Sequence, residues 1–200
     1  MMKRTLSINL SGSVFNIDDD AYNLLKKYLD LIESHFADEK EGKEIISDIE
    51  SRIAELFKER ITEYKQVIVI SDVEEIIDIM GQPEEIGDPM DSSGKGSREK
   101  FGPSSYRRIY RDPDNRILGG VCGGMGAYWR IDPLIIRIIF AVATLIFLSG
   151  AIIYLILWIV IPEAKTTAQK LEMRGEPVTI SNIGKAVKEE FQNFKKKMNL

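Results

Sequence analysis

One long apolar segment constrains this chain more than any other feature. The run from Leu134 to Ile161 covers 28 residues, whereas about 20 residues are enough to cross a bilayer as a helix. Its only interruptions are Arg137, Thr144, Ser149 and Gly150. Asp132 and Pro133 precede it, and these residue types favour the N-cap and first turn of a helix. The sequence predicts a transmembrane helix at 134–161. A buried core helix and a re-entrant hairpin broken at Ser149-Gly150 remain as alternatives.

Aromatic and basic residues flank this run. Tryptophan and tyrosine prefer the headgroup region of a membrane, and long basic side chains extend toward it. The predicted membrane-interface anchors are Trp129, Arg130, Arg137, Tyr154 and Trp158. Basic residues are more numerous before the run than soon after it, which predicts a cytoplasmic N-terminal domain. A hairpin would instead leave both ends on the same side.

Charge divides the chain into two parts. Residues 1–90 contain 10 Lys and Arg against 21 Asp and Glu, a net charge of −11, whereas residues 91–200 contain 17 against 10, a net charge of +7. An acidic first part disfavours nucleic acid as a partner, because phosphate binding needs a basic surface. The chain has one histidine and one cysteine, His35 and Cys122, far apart in sequence. We therefore predict no catalytic residues, no cofactor and no metal site.

The first 88 residues show the periodicity of a small α+β domain. Alternating residues predict a β-hairpin over 4–17. Two stretches with helical spacing follow, and the β-branched run Val67–Ile70 predicts a central strand before a third helix. The predicted order is ββααβα for an acidic domain at 1–88. Residues 89–105 are rich in Gly, Ser, Pro and charge, which predicts a flexible linker.

The C-terminal tail, residues 166–200, contains an amphipathic pattern that predicts a helix at 182–199. Its predicted apolar face consists of Ile183, Val187, Phe191, Phe194 and Met198. The opposite side is rich in lysine, so the helix could lie on an anionic membrane, cover a groove of the acidic domain or contact a partner subunit. The predicted fold class is therefore an α+β N-terminal domain, an all-α membrane module at 106–165 and a C-terminal amphipathic helix.

Five glycines fall within eight residues just before the apolar run, on a predicted glycine-rich helix at 116–130. Small residues spaced by four allow another helix to approach closely. The predicted helix-packing seam consists of Gly119, Gly120, Gly123, Gly124 and Ala127. The spacing of phosphate-binding glycine loops is absent from this cluster, which disfavours nucleotide binding. Cys122 is expected to be a small packing residue.

These residues resemble a known family. Tyr110-Arg111, Arg116 to Gly124, Ile131-Asp132-Pro133, Arg137 and the stretch from Tyr154 to Glu163 are similar, in this order, to the phage-shock-protein C (PspC) domain. The resemblance covers about residues 105–165. The acidic N-terminal domain resembles the extension of Bacteroidetes-type members.

The resemblance implies a bacterial inner-membrane protein of the envelope-stress type that acts without catalysis. It would act as a sensor or adaptor for a cytoplasmic or membrane regulatory protein. The implied partners are the lipid bilayer, this regulatory protein and possible further copies of the chain, with no nucleic acid expected. The alternative hypothesis is a membrane-tethered transcriptional regulator whose N-terminal domain contacts DNA.

Overall fold

The computed structural model describes residues 4–82, 107–147 and 149–197. The predicted linker at 89–105 and Met198 lie outside the described residues. The chain divides into two compact units. The first unit comprises Met1–Pro103 together with Val178–Leu200, and the second unit comprises Ser104–Pro177.

The first unit is a small sheet covered by helices. Its elements are β1 (Thr5–Leu10), β2 (Ser13–Asp18), α1 (Asp19–Phe36), α2 (Gly42–Arg60), β3 (Val67–Ile68), α3 (Ile70–Met80) and α8 (Ile180–Lys197). Up to α3, this is the predicted order ββααβα. Strand β2 is central, antiparallel to β1 and parallel to β3.

Strand β3 differs from its prediction as a four-residue central strand. It has two residues and lies at the edge of the sheet. Helix α3 begins at Ile70, and the Asp72 carboxylate accepts a hydrogen bond of 2.9 Å from the backbone N–H of Val69. The β-branched run is therefore divided, because its second half forms the capped start of a helix.

The core of the first unit lies where the sheet meets α1 and α2. The rings of Phe15 and Phe57 meet edge to face with centroids 5.4 Å apart, and both side chains are buried. The Tyr28 hydroxyl donates to the carbonyl oxygen of Gly81 at 2.8 Å, joining α1 to the end of α3. Burial raises the pKa of Tyr28 well above its ordinary value, so this donor keeps its proton at neutral pH.

Helix α8 completes the first unit by contacting α2. Ile183 and Val187 are buried, and the Lys188 ammonium lies 2.7 Å from the Glu39 carboxylate. Further along the helix, the side chains of Phe191 and Phe194 are 44% and 59% exposed. The first half of α8 therefore covers the acidic domain, whereas its second half presents phenylalanines to the surroundings.

The second unit is helical. Its helices are α4 (Val121–Trp129), α5 (Pro133–Phe147), α6 (Ser149–Val160) and α7 (Thr167–Arg174). Helix α5 begins as predicted at Asp132-Pro133, where the Asp132 carboxylate accepts from the N–H of Leu134 at 2.8 Å. A parallel β-bridge joins Arg111 to Glu163, so the segment before α4 pairs with the segment after α6.

The predicted transmembrane helix at 134–161 is wrong. The apolar run forms two helices, α5 of 15 residues and α6 of 12 residues, and α6 folds back along α5. Among the described residues, no helix combines the length and the apolar character needed to cross a membrane. The predicted fold class must therefore be corrected, because its all-α membrane module does not follow from these helices.

Gly150 accounts for the fold-back. A Cβ atom at this position would lie 2.6 Å from the Thr144 backbone nitrogen and 2.8 Å from the Phe140 carbonyl oxygen. Only glycine allows the backbone of α6 to approach α5 so closely. Beyond this contact the rings of Phe140 and Tyr154 meet edge to face at 5.6 Å. The Ser149-Gly150 interruption thus produces a helical hairpin.

Candidate functional site

The glycines of α4 make room for backbone from their own unit. A Cβ atom on Gly124 would overlap the carbonyl oxygen of Tyr110, and one on Gly123 would lie 2.9 Å from the carbonyl oxygen of Asn115. Gly120 has a φ of 80° at the N-cap, a conformation that favours glycine. In this unit the segment 110–115 therefore crosses α4 on the glycines predicted as a helix-packing seam.

The remaining two seam residues have different surroundings. A Cβ atom on Gly119 would lie 2.6 Å from Cδ1 of the Trp158 ring. The indole of Trp158 on α6 therefore packs directly on the backbone of Gly119. Ala127 is half-buried on α4.

Arg111 joins the segment before α4 to the segment after α6. Its Nε donates to the Ile161 carbonyl oxygen at 2.8 Å, and its Nη1 donates to the Gly119 carbonyl oxygen at 3.1 Å. Its Nη2 lies 3.7 Å from the Glu163 carboxylate, and the side chain is 20% exposed. One planar guanidinium therefore connects the end of α6 to the turn that starts α4.

The turn before α4 is built around Asp112. Its carboxylate accepts from the N–H groups of Asp114 at 2.9 Å and Asn115 at 3.3 Å. Asn115 in turn accepts from Nη2 of Arg137 through both its backbone and side-chain oxygens, each at 2.9 Å. The turn is thereby fixed to the first part of α5. The Asp-Pro-Asp-Asn sequence at 112–115 is a turn signal that could have identified these residues in advance.

Tyr110 connects the start of the unit to α7. Its hydroxyl donates to Oε2 of Glu172 at 3.1 Å. Burial, followed by the negative charge of Glu172, raises the pKa of Tyr110 above its ordinary value. The phenol therefore remains a donor at neutral pH. Sequence reasoning missed Glu172, since an isolated glutamate on a short helix carries no local signal.

The predicted membrane-interface anchors are spread over the second unit. Trp129 is exposed at the end of α4, and Arg130 follows with a φ of 57°. Arg137 is held by Asn115, Tyr154 by the ring of Phe140 and Trp158 by Gly119. All five residues thus have a defined neighbour or backbone role within the unit, since the ring of Trp129 meets that of Tyr128 edge to face.

The outer surface of the α5–α6 hairpin is strongly apolar. Its exposed large apolar side chains are Leu134, Ile135, Ile138, Ile139, Val142, Ile146, Ile152, Ile153, Ile156, Ile159 and Val160, whereas the exposed Leu145, Leu155 and Trp158 line the space between the hairpin and the glycine turn. Ile159 is 76% exposed and Val160 is 69% exposed. Continuous apolar surfaces of this kind mark contact with a membrane or another protein.

The side chains described at this site pack and hydrogen-bond with one another. Within the described part of the chain, no group of three or more His, Cys, Asp or Glu side chains is arranged to hold a metal ion. Cys122 is free and buried, and its burial raises the pKa of the thiol. A thiol in this state is a poor nucleophile at neutral pH.

Fold and site together define a small helical module with a glycine-rich helix and an exposed apolar hairpin. Residues 107–164 match the PspC domain family, so the chain carries a PspC domain. The predicted resemblance over about residues 105–165 is confirmed. The domain implies an envelope-stress protein of the phage-shock type, from a family that is typically membrane-associated and is not a known enzyme family. Neither a curated protein nor a solved structure matches the chain significantly.

Proposed function

We propose that this protein is a non-catalytic adaptor of the envelope-stress response. It associates with the bacterial inner membrane through the α5–α6 hairpin and binds a regulatory protein through its acidic first unit. The observation that carries the proposal is the apolar surface of the hairpin inside a PspC domain. Exposure of so much apolar surface to water is unfavourable. Insertion into the interior of a lipid leaflet removes this surface from water.

Helix length supports insertion from one side. A helix of 15 residues such as α5 is about 22 Å long, less than the roughly 30 Å of a bilayer's hydrocarbon core. The hairpin therefore enters the membrane and returns. The packing of α8 against α2 agrees with this, because chain segments before and after the hairpin belong to one compact unit.

Charge supports a cytoplasmic position for both flanks of the hairpin. Arg107, Arg108 and Arg116 lie before it, and Lys165 and Lys170 lie after it. Basic residues next to membrane segments favour the cytoplasmic side, where anionic lipid attracts them. The first unit then faces the cytosol, where its net charge of −11 over residues 1–90 favours a partner with a basic surface.

A triple substitution of exposed hairpin residues tests membrane association. Ile146, Ile159 and Val160 are 63%, 76% and 69% exposed, so serine at all three should leave the fold intact. We expect the full-length variant to bind vesicles containing phosphatidylglycerol at least about 100-fold more weakly in flotation, since each lost side chain removes more than 1 kcal/mol of burial. Unchanged flotation would contradict the membrane role of the hairpin.

The matched control places serine at Val14, Leu31 and Tyr64, exposed apolar side chains of the first unit, and should bind vesicles like the wild type. A second readout tests the adaptor role in cells. A photocrosslinking amino acid at Val14, Tyr64 or Phe194 should capture the same regulatory protein in the wild type and in the hairpin variant. Capture of no regulatory protein from any of these positions would overturn the adaptor role and leave the flotation result standing.

A further inference from the structure

The second unit contains a groove between the glycine turn and the helical hairpin. Its volume is about 790 Å³, within the range of pockets that hold small ligands. Small residues create this space: the backbones of Gly119 and Gly123 form one side, and Ala141 and Ala151 on the hairpin lie among the other lining residues. The indole of Trp158 also lines the groove.

The lining is almost entirely apolar. A polar ligand would lose its hydration there and gain few hydrogen bonds in return, which is unfavourable. Methylene groups entering the same space would be removed from water, which is favourable. The walls of the groove therefore select a long apolar chain.

One positive charge lies in this lining. Arg137 is the only charged residue among the described residues that line the groove. It donates to the two oxygens of Asn115 through a single nitrogen, Nη2, and no described carboxylate is paired with it. A guanidinium has five N–H donors, so donors of Arg137 remain for an anion, and phosphate is an anion that arginine binds well.

We propose that this groove binds one acyl chain of an anionic phospholipid, with the lipid phosphate at the Arg137 guanidinium. The inference rests on the proposed membrane association, which supplies the lipid. It adds that the PspC domain distinguishes lipids by headgroup charge. Charge complementarity at Arg137 favours phosphatidylglycerol over phosphatidylcholine, whose headgroup carries no net charge.

Fluorescence quenching of Trp158 tests the binding directly. The chain has two tryptophans, and Trp129 is exposed and outside the groove lining. W129F therefore leaves Trp158 as the only tryptophan in the full-length chain. In neutral detergent micelles, phosphatidylglycerol brominated along its acyl chains should quench Trp158 at a roughly tenfold lower mole fraction than brominated phosphatidylcholine. Equal quenching by the two lipids would overturn the proposed headgroup site.

Two groove variants separate the acyl chain from the headgroup. Ala141→Leu fills the groove and should raise the phosphatidylglycerol concentration needed for quenching roughly tenfold. Ala143→Leu makes the same change on the same helix at a position outside the lining. Its Trp158 should be quenched at the same phosphatidylglycerol concentration as in the W129F protein. R137Q should remove the difference between the two lipids. The proposal would be overturned if Trp158 of Ala141→Leu is quenched as in the W129F protein, or if R137Q still prefers phosphatidylglycerol.

Flotation of the same proteins separates this proposal from membrane association. Ala141→Leu should float with vesicles like the wild type, because its apolar outer surface is unchanged. If the wild type floats with vesicles but the two brominated lipids quench Trp158 equally, the groove proposal is overturned and membrane association stands. If the wild type does not float with vesicles, membrane association is overturned. Stronger quenching of Trp158 by phosphatidylglycerol than by phosphatidylcholine in micelles would still support the groove.

Discussion

Alanine at Gly124 is expected to unfold or strongly destabilise the second unit. The added Cβ would overlap the Tyr110 carbonyl oxygen and lie 3.3 Å from Cα of Arg111, and neither backbone atom can move without displacing the segment 110–115. We expect a loss of about 3 kcal/mol or more in the free energy of unfolding. For a unit of this size, that corresponds to a melting temperature lower by roughly 15 °C or to loss of the transition.

Thermal unfolding followed by tryptophan fluorescence measures this effect. Trp129 and Trp158 are the only tryptophans of the chain, and both belong to the second unit, so the signal reports that unit alone. The reverse change on the same helix, Ala127→Gly, should cost only about 1 kcal/mol from helix propensity. Equal melting temperatures for Gly124→Ala and the wild type would show that segment 110–115 does not cross α4 in this way.

Lysine at Arg111 is expected to have the second largest effect. The substitution keeps the charge near Glu163 but removes the planar fork that donates to the carbonyl oxygens of Ile161 and Gly119. Two part-buried acceptors lose their charged donor, so we expect the second unit to be destabilised by about 2 to 3 kcal/mol. The same fluorescence melt measures it.

Arg116→Lys is the matched control for this change. Arg116 also pairs with Glu163, at 3.6 Å, but its side chain is 62% exposed. Such a pair contributes little, and its replacement should change stability by less than about 0.5 kcal/mol. A loss in Arg111→Lys no larger than that in Arg116→Lys would show that the positive charge near Glu163, which both variants keep, is sufficient without the fork geometry.

Local patterns predicted the elements of the first unit well. Alternation gave the β-hairpin and helical spacing gave α1 and α2, and in the second unit Asp132-Pro133 gave the start of α5. The limits of β3 could not be predicted, because the same four β-branched residues serve a strand and a helix start. Where the strand ends and the helix begins depends on the hydrogen bond from Val69 to Asp72 and on pairing with β2. Such contacts cannot be read from residue propensities.

The helical hairpin shows the same limit on a larger scale. Composition alone favoured one long helix, because all but four of the 28 residues from 134 to 161 are apolar. The decisive feature is one position, Gly150, whose missing side chain allows α6 to approach α5. Periodicity does not report such a contact. The spacing of the α4 glycines likewise indicated close approach, but it could not reveal that backbone from segment 110–115 makes the approach.

The folded-back hairpin is the feature on which both proposals depend, and one distance tests it. Phe140 faces Tyr154, so Ile135 and Ile159, five residues further along each helix, lie at the same level of the hairpin. Both side chains are exposed and suit spin labelling as cysteines in a full-length C122A background, since Cys122 is the only native cysteine. Adjacent helices predict a label separation below about 20 Å in lipid nanodiscs by pulsed electron paramagnetic resonance. A separation near 36 Å, the length of about 24 residues of continuous helix, would contradict it.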